Sequence, residues 1–352
     1  MAAQNSKYFA QVFGAKKRKF SGFKESTQNL IYNFAETIAQ PDGCTGLITQ
    51  TRMGKIVVVG SSNTDLVIKA DRLPEPGETL LGGQFMMAAG GKGANQAVAA
   101  QRLGGEVSFV ASVGDDVFGK NSVENYRKEG MDISFVSVKE GVPSGVATII
   151  VDADAENVIV VASGANGTLG KEEIDRASEK IASADFVLLQ LEIPMETVEY
   201  AVGKAYEAGT RAVLNPAPAA SLSEQLLSRL WLITPNRTET QRITGLSVNS
   251  EEDAAKAADA LAAKGVKNVV ITLGSKGAYF LAEDGSRGVI PATPVQAQDT
   301  TAAGDTFNGA LCVALSEGKT LQEACRFAAN ASAIAVTRMG AQPSIPYRSE
   351  IE

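Results

Sequence analysis

Histidine is absent from all 352 residues. That removes the Ser-His-Asp and Cys-His nucleophile pairs and every histidine-ligated metal site. Base chemistry is left to Asp, Glu, Lys, Tyr or Cys. Cysteine is scarce as well. Cys44, Cys312 and Cys325 form no CxxC pair, which suits a reducing compartment, and Cys312 and Cys325 fall among alanines as small core residues. No run approaches the ~20 apolar residues of a membrane span. The first residues lack the apolar centre of a secretory signal. The expected setting is the cytoplasm, away from membranes. Positive charge is not in excess either. The net charge is −7 and the only dense basic run is KKRK at 16–19, so no nucleic-acid partner is expected.

What is present has α/β texture. The length allows one large domain with an excursion, or two modest ones. Residues 1–52 are basic, aromatic-rich and without strong periodicity; they read as a leader or a poorly packed extension, with Met53 as a second plausible start. From residue 53 to 352 apolar runs alternate with helical stretches. KIVVVG (55–60), DFVLLQ (185–190), RAVLN (211–215), LWLIT (230–234) and NVVITL (268–273) read as interior parallel strands. Between and around them, residues 93–104, 171–182, 195–209 and 250–265 read as helices. The expectation is a three-layer, doubly wound, mostly parallel sheet. Two segments, about 65–90 and 144–163, break the rhythm with hairpin-like alternation and turn residues; they read as a small β lid over a crevice.

Three stretches imitate phosphate loops and fail. GDDVFGKN (114–121) puts Asn121 where Ser or Thr should hold a cation, and two aspartates beside the phosphates. GGKGANQ (90–96) has Gln96 in place of the third glycine of a dinucleotide fingerprint. EGKT (317–320) lacks its upstream glycine. Any nucleotide must be held by another design.

The remaining candidates cluster at strand exits, where open α/β sheets bind ligands. SSNTDL (61–66) offers Asn63 and Asp65 for hydroxyls, or merely as turn formers. Gly91, Lys92, Gly93 and Asn95 sit at a glycine-rich helix entry that lets a polar ligand approach the backbone. Glu192 ends a strand. Asn236 and Glu239 have the spacing to share a solvated metal ion, or to form a capping box. TLGSKG (272–277) is a loop for a nucleotide, or a hairpin turn. In DTTAAGDTF (299–307), Ala302, Ala303 and Gly304 open a helix whose first amides lack intrahelical acceptors. Those amides make an anion hole for a transferred phosphoryl group. Asp305, beside them, is placed to take a proton from an attacking hydroxyl, or simply to stabilise the helix start.

With GGKGANQAVAAQRLGG (90–105) and DTTAAGDTFNGAL (299–311) in order, residues 53–352 resemble the ribokinase and phosphofructokinase-B family of carbohydrate kinases. NTD, QLEIP and NPAPA (215–219) point to its ribose-specific branch. The resemblance implies ATP-dependent phosphorylation of D-ribose at its 5-hydroxyl. It implies Asp305 as base, with the 302–305 amides on the transition state. Asn63, Asp65, Gly91, Lys92, Gly93, Asn95 and Glu192 would hold the sugar. Asn236, Glu239, Thr272, Gly274, Ser275, Lys276, Gly277, Gly304 and Asn330 would serve ATP and Mg²⁺. A monovalent cation, K⁺, would sit among Asp299, Thr301, Ala335, Arg338, Gly340 and Ser344, several through carbonyls. The lid would pair two copies into a homodimer. One departure is visible: Asn330 stands one position after the family's adenine-side residue, which leaves Ala329 there. Another sugar or nucleoside kinase, for deoxyribose, fructose or adenosine, is the alternative; a non-catalytic sugar sensor is a more distant one.

Overall fold

The computed structural model describes residues 53–153 and 156–351. The expectation of a leader at 1–52 lies outside the described residues.

The core is a nine-stranded sheet in the order β13-β12-β11-β10-β9-β8-β1-β4-β5. Its parallel part comprises β1 (Lys55–Val59), β4 (Glu106–Gly114), β5 (Asp132–Lys139), β8 (Phe186–Leu189), β9 (Arg211–Leu214), β10 (Leu232–Ile233) and β11 (Asn268–Thr272). An antiparallel edge is added by β12 (Ala278–Leu281) and β13 (Arg287–Ile290). Strand side chains alternate, so an interior strand must feed two cores. In β1, Ile56 and Val58 join one buried cluster and Val57 and Val59 the other. On the first face pack α1 (Lys92–Arg102), α9 (Ala303–Ser316) and α10 (Leu321–Ala335). On the second pack α3 (Lys171–Arg176), α4 (Ser178–Ser183), α5 (Met195–Ala208), α6 (Glu224–Arg229) and α8 (Glu251–Ala263). The three-layer expectation is met.

Two details differ from the sequence reading. The helical stretch 171–182 is split at Ala177 into α3 and α4, and the run 230–234 contributes only two residues of strand. The flanking residues still bond to the sheet, the Trp231 amide to the Ala212 carbonyl and the Thr234 amide to the Leu214 carbonyl, each at 2.9 Å, while the Thr234 hydroxyl donates to Asn308 Oδ1 at 2.6 Å. The failed phosphate loop at 114–121 is a helix start. Asp116 caps α2 (Val117–Lys128), accepting from the Gly119 amide at 2.9 Å and the Ser144 hydroxyl at 2.6 Å.

The excursion is a separate four-stranded sheet of β2 (Asn63–Lys69), β3 (Gln84–Gly90), β6 (Gly145–Val151) and β7 (Asn157–Ala162), ordered β3-β2-β6-β7. It starts at Asn63, directly after β1, so one face of it carries Asp65 and the other does not.

Candidate active site

The crevice is built around the entry to α1. Gly91 has φ 89°, and a Cβ there would sit 2.6 Å from the Asn63 amide nitrogen. A Cβ on Gly93 would lie 2.4 Å from the Ser61 nitrogen. Only glycines let this helix start lie flat against the β1–β2 connection. Glu192, at the exit of β8, ties the pieces together. Its Oε2 accepts from the Ser61 hydroxyl at 2.6 Å and the Lys92 amide at 3.0 Å.

Asp305 is 7% exposed in the first turn of α9. Its Oδ2 accepts from Asn95 Nδ2 at 2.9 Å and its Oδ1 from Gln96 Nε2 at 3.0 Å. The carboxylate is thus gripped by consecutive residues of α1, while Asn95 Oδ1 is buried without a partner. Before it, Ala302 has φ 58°, alone among the described non-glycine residues in the left-handed region. Such a conformation costs about 1–2 kcal/mol and persists where surroundings enforce it, often at working sites. It aims the following amides outward. The sequence reading of an anion hole over 302–305 needs narrowing, because the Ala303 amide already donates to the Thr300 carbonyl at 3.2 Å. The Gly304 and Asp305 amides have no backbone acceptor among the described residues. A Cβ on Gly304 would meet nothing within 4 Å, so this turn is open on its Cβ side. Ser332 of α10 braces the turn, donating to the Ala303 carbonyl at 2.9 Å.

Charge is concentrated here. Burial, then Glu192 and Asp305, push the Asp65 carboxyl up to about 6, partly offset by Lys92. Burial alone would lower the Lys92 ammonium, but Asp305, Glu192, Glu239 and Asp65 outweigh it and hold it above its usual range. One lysine therefore faces four carboxylates in a sheltered crevice. Asn63 is buried, its Oδ1 accepting from Asn166 Nδ2 at 2.7 Å.

The nucleotide candidates form a neighbouring group. Asn236 and Glu239 realise the capping-box reading at the start of α7 (Arg237–Thr244), with reciprocal bonds of 2.8 and 2.9 Å and a third, Asn236 Nδ2 to Oε1, of 2.8 Å. The box still faces the crevice: burial first, then Asp305, raise the Glu239 carboxyl against the pull of the Asn236 amide and Lys92. An isolated bridge joins Asn236 to Thr272. From there Gly274, Ser275 and Lys276 make an exposed single turn leading through Gly277 into β12. TLGSKG takes the hairpin-turn form of its two readings, and Thr272 ties it to Asn236. Asn330 stands apart, exposed on α10 with its Oδ1 accepting from Thr293 at 2.8 Å.

Asp299 and Gly340 are brought together across the C-terminal loop. Asp299 accepts from the Thr301 amide at 2.9 Å, the Thr301 hydroxyl at 2.6 Å and the Gly340 amide at 2.8 Å. Burial would raise its carboxyl, yet these donors hold it below the usual carboxylate value. The Ala335 carbonyl accepts from the Arg338 amide, the Arg338 guanidinium pairs with Glu350, and Ser344 is buried with its hydroxyl on the Ala341 carbonyl. Arg338 can therefore offer only its backbone to a cation.

Sequence reasoning missed the floor of the site. In sequence Gln96 stands only where a third glycine would be, and Gln190 and Asn215, which bond to it at 2.6 and 3.0 Å, appear only as the first residues of QLEIP and NPAPA. The signal existed: both end otherwise apolar strands, β8 and β9, where a buried amide needs a reason.

Comparison with known proteins follows this geometry. A sequence model described as pfkB family carbohydrate kinase matches residues 53–348. The chain is 46% identical over 295 residues to a protein of Haemophilus influenzae named ribokinase, covering 84% of this chain and 96% of that one. It is 37% identical to a Salmonella typhi protein named deoxyribokinase, covering 83% and 95%. Among solved structures, Arabidopsis thaliana ribokinase complexed with ribose and ATP superposes with a TM-score of 0.79 at 33% identity, covering 85% of this chain and 97% of that one.

Proposed function

The chain belongs to the pfkB family of carbohydrate kinases, and from that premise we propose that it transfers the γ-phosphoryl group of ATP to the 5-hydroxyl of D-ribose. The observation that carries this reading is the Asp305 carboxylate, fixed from two sides beside the outward-facing Gly304 and Asp305 amides, in a turn open on its Cβ side. There the ribose 5-oxygen attacks the γ-phosphorus as its proton passes to Asp305. The bond from that phosphorus to the bridging oxygen breaks, ADP leaves with the electron pair, and Asp305 returns its proton to solvent. The two amides and Lys92 stabilise charge on the transferred group. Asn63, Asp65, Glu192 and the unpartnered Asn95 Oδ1 face the sugar hydroxyls.

Among the described residues no group of three or more acidic, cysteine or histidine side chains can hold a metal. Glu239 is engaged in its capping box. That donor set fits Mg²⁺ arriving with the nucleotide phosphates, near Asn236 and Glu239, rather than a resident ion. Bound there, Mg²⁺ neutralises phosphate charge. The Asp299 loop fits K⁺: a carboxylate kept ionised by its own loop lends negative potential to the carbonyls at Thr301, Ala335 and Gly340. Exchanging K⁺ for Na⁺ should lower kcat severalfold; equal rates in the two buffers would remove this part of the reading.

A panel of D-ribose, 2-deoxyribose, fructose and adenosine, read by ADP release, tests the function. Highest kcat/KM on ribose is expected. Preference for 2-deoxyribose would favour the second reading, which the deoxyribokinase relative supports, and turnover of none would refute a kinase.

Asp65 gives a pH signature. A hydroxyl donates to the ionised carboxylate, so KM for the sugar should climb as pH falls through about 6. Unfolding does not mimic this. With the folded value raised above 3.8, this group's stability contribution is complete below 3.8 and is lost as pH rises through about 6. Asp65→Asn should raise KM and flatten the acid limb; a limb unchanged in the variant would assign it elsewhere.

The lid supports pairing of two copies. By register, Phe85, Ile68, Ile150 and Val158 form one cross-strand row and Met87, Leu66, Thr148 and Val160 the next, all on the face opposite Asp65. Phe85 and Val160 are 66% and 65% exposed, an apolar face that a second lid would cover. Sedimentation as a monomer at micromolar concentration would count against it. No helix among the described residues is long and apolar enough to cross a membrane. A cytoplasmic setting remains part of the proposal, supported by the buried, unbridged Cys312 and Cys325.

A further inference from the structure

Gln96 has every polar atom committed. Its Nε2 donates to Asp305 Oδ1 at 3.0 Å and to Asn215 Oδ1 at 3.0 Å, and its Oε1 accepts from Gln190 Nε2 at 2.6 Å. It is fully buried. An amide has two donor hydrogens, and both are used, so nothing on this side chain is left for a ligand. The neighbouring Asn95 is different: it spends Nδ2 on Asp305 and leaves Oδ1 unpartnered.

The bonds continue in one direction. Asn215 Nδ2 donates to the Thr234 carbonyl at 3.2 Å, the Thr234 hydroxyl to Asn308 Oδ1 at 2.6 Å, and Asn308 Nδ2 to the Gly304 carbonyl at 2.8 Å. Gly304 immediately precedes Asp305. The chain of bonds therefore leaves the Asp305 carboxylate through Gln96, crosses the ends of β9 and β10, and returns to the peptide that presents the anion-hole amides.

Orientation along this ring is forced. The ionised Asp305 carboxylate can only accept, so Gln96 presents Nε2 to it and Oε1 to Gln190, which answers with its own Nε2 and keeps its Oε1 without a partner. A flipped Gln96 would set an oxygen against Asp305 and two donors against each other at Gln190. Every side chain in it is buried, where an unpaired polar group is costly, so these side chains behave as a unit.

We propose that Gln96 is a positioning residue for the phosphoryl-transfer base, acting through a closed hydrogen-bond ring that fixes the Asp305 carboxylate relative to the Gly304 and Asp305 amides. This deepens, and rests on, the kinase reading above. Asn95 holds the sugar-facing oxygen of the carboxylate and touches the substrate; Gln96 holds the other and touches only protein. Proton transfer needs the carboxylate and the in-line phosphorus held together to within a fraction of an ångström, and small misplacements carry large rate penalties.

The test is Gln96→Met, which keeps the volume and removes the donors. Thr197→Val is the comparison, since it deletes a buried side-chain bond of like kind, to the Leu169 carbonyl, on the opposite face of the sheet. On whichever sugar of the panel the wild-type enzyme turns over fastest, kcat in Gln96→Met should fall roughly 10- to 100-fold, with KM for that sugar changed less than about threefold. Thr197→Val should lose melting temperature, by less because it deletes one buried bond and not three, and keep its kcat. A Gln96→Met kcat within about twofold of wild type, or a loss shared equally by Thr197→Val, overturns the proposal. A second arm needs no turnover. The Asp305 side-chain carboxyl carbon resonance, assigned by its loss in Asp305→Asn, should move in Gln96→Met and stay in Thr197→Val. An unmoved resonance overturns the positioning role even if no sugar is phosphorylated. A moved resonance with no active sugar leaves the ring standing and refutes only the kinase assignment.

Discussion

Asp305→Asn should lower kcat roughly a thousandfold or more while the protein stays folded. The substitution keeps the shape and removes the proton acceptor. An acid in the first turn of a helix contributes about 0.3–1 kcal/mol, which corresponds to a shift of about 2 °C or less in the melting temperature of a domain this large. One further effect accompanies it. The new amide sets an N–H against either Asn95 Nδ2 or Gln96 Nε2, both of which now donate to the carboxylate. That mismatch is buried and costs about 1–3 kcal/mol. The melting temperature should therefore fall modestly, while sugar and ATP continue to bind. A variant that retained more than about a tenth of wild-type kcat would remove Asp305 from the proton-transfer step.

Gly309→Val should damage both stability and turnover, although Gly309 lies a full turn beyond the catalytic end of α9. A Cβ there would fall 2.6 Å from the Ala99 Cβ, 2.7 Å from the Gln96 carbonyl oxygen and 2.8 Å from the Ala100 nitrogen. Two of those neighbours are backbone of α1, and backbone cannot swing aside. The helices must part. Overpacking of this kind costs typically 1–3 kcal/mol, and a branched side chain belongs at the upper end. The functional loss follows from geometry: α1 carries Asn95 and Gln96, α9 carries Asp305, and the bonds between them are 2.9 and 3.0 Å. Parting the helices by even half an ångström loosens the grip on the carboxylate. We expect kcat down by roughly a hundredfold, together with a lower melting temperature. Gly288→Ala serves as the comparison, because a Cβ on that edge strand meets only Phe280 Cε1, at 3.6 Å. Wild-type kcat in Gly309→Val would show that the α1–α9 contact does not set the site.

Much of the site was legible because its residues follow local rules. Asp305 stands in a helix entry of small residues, and that entry's physics is local: unpaired amides and a dipole. Gly91 and Gly93 stand out for the same reason. The Asn236–Glu239 spacing correctly offered two readings, and the structure realises the cap while leaving Glu239 within electrostatic reach of Lys92 and Asp305. Spacing alone could not choose, since a capping box and a crevice-facing pair need the same residues.

What was not legible depends on pairs distant in sequence. Gln96 and Asp305 are 209 positions apart, and Gln96 and Asn215 are 119 apart. The Ala303 amide looked free from sequence, yet the left-handed turn at Ala302 folds it back on Thr300. The tie between Asn330, exposed on α10, and Thr293 likewise spans 37 positions.

By itself, the sequence determined the alternation of strands and helices, the exclusion of histidine chemistry, and the position of a candidate base at a helix entry. These follow from hydrophobic periodicity, residue inventory and backbone geometry, each of which acts within a few residues. Only the tertiary structure decided which amides stay open and which buried amide faces which oxygen of Asp305. Those outcomes depend on the register between strands and on the approach of α1 to α9, and both are settled by packing between segments that the chain order keeps far apart.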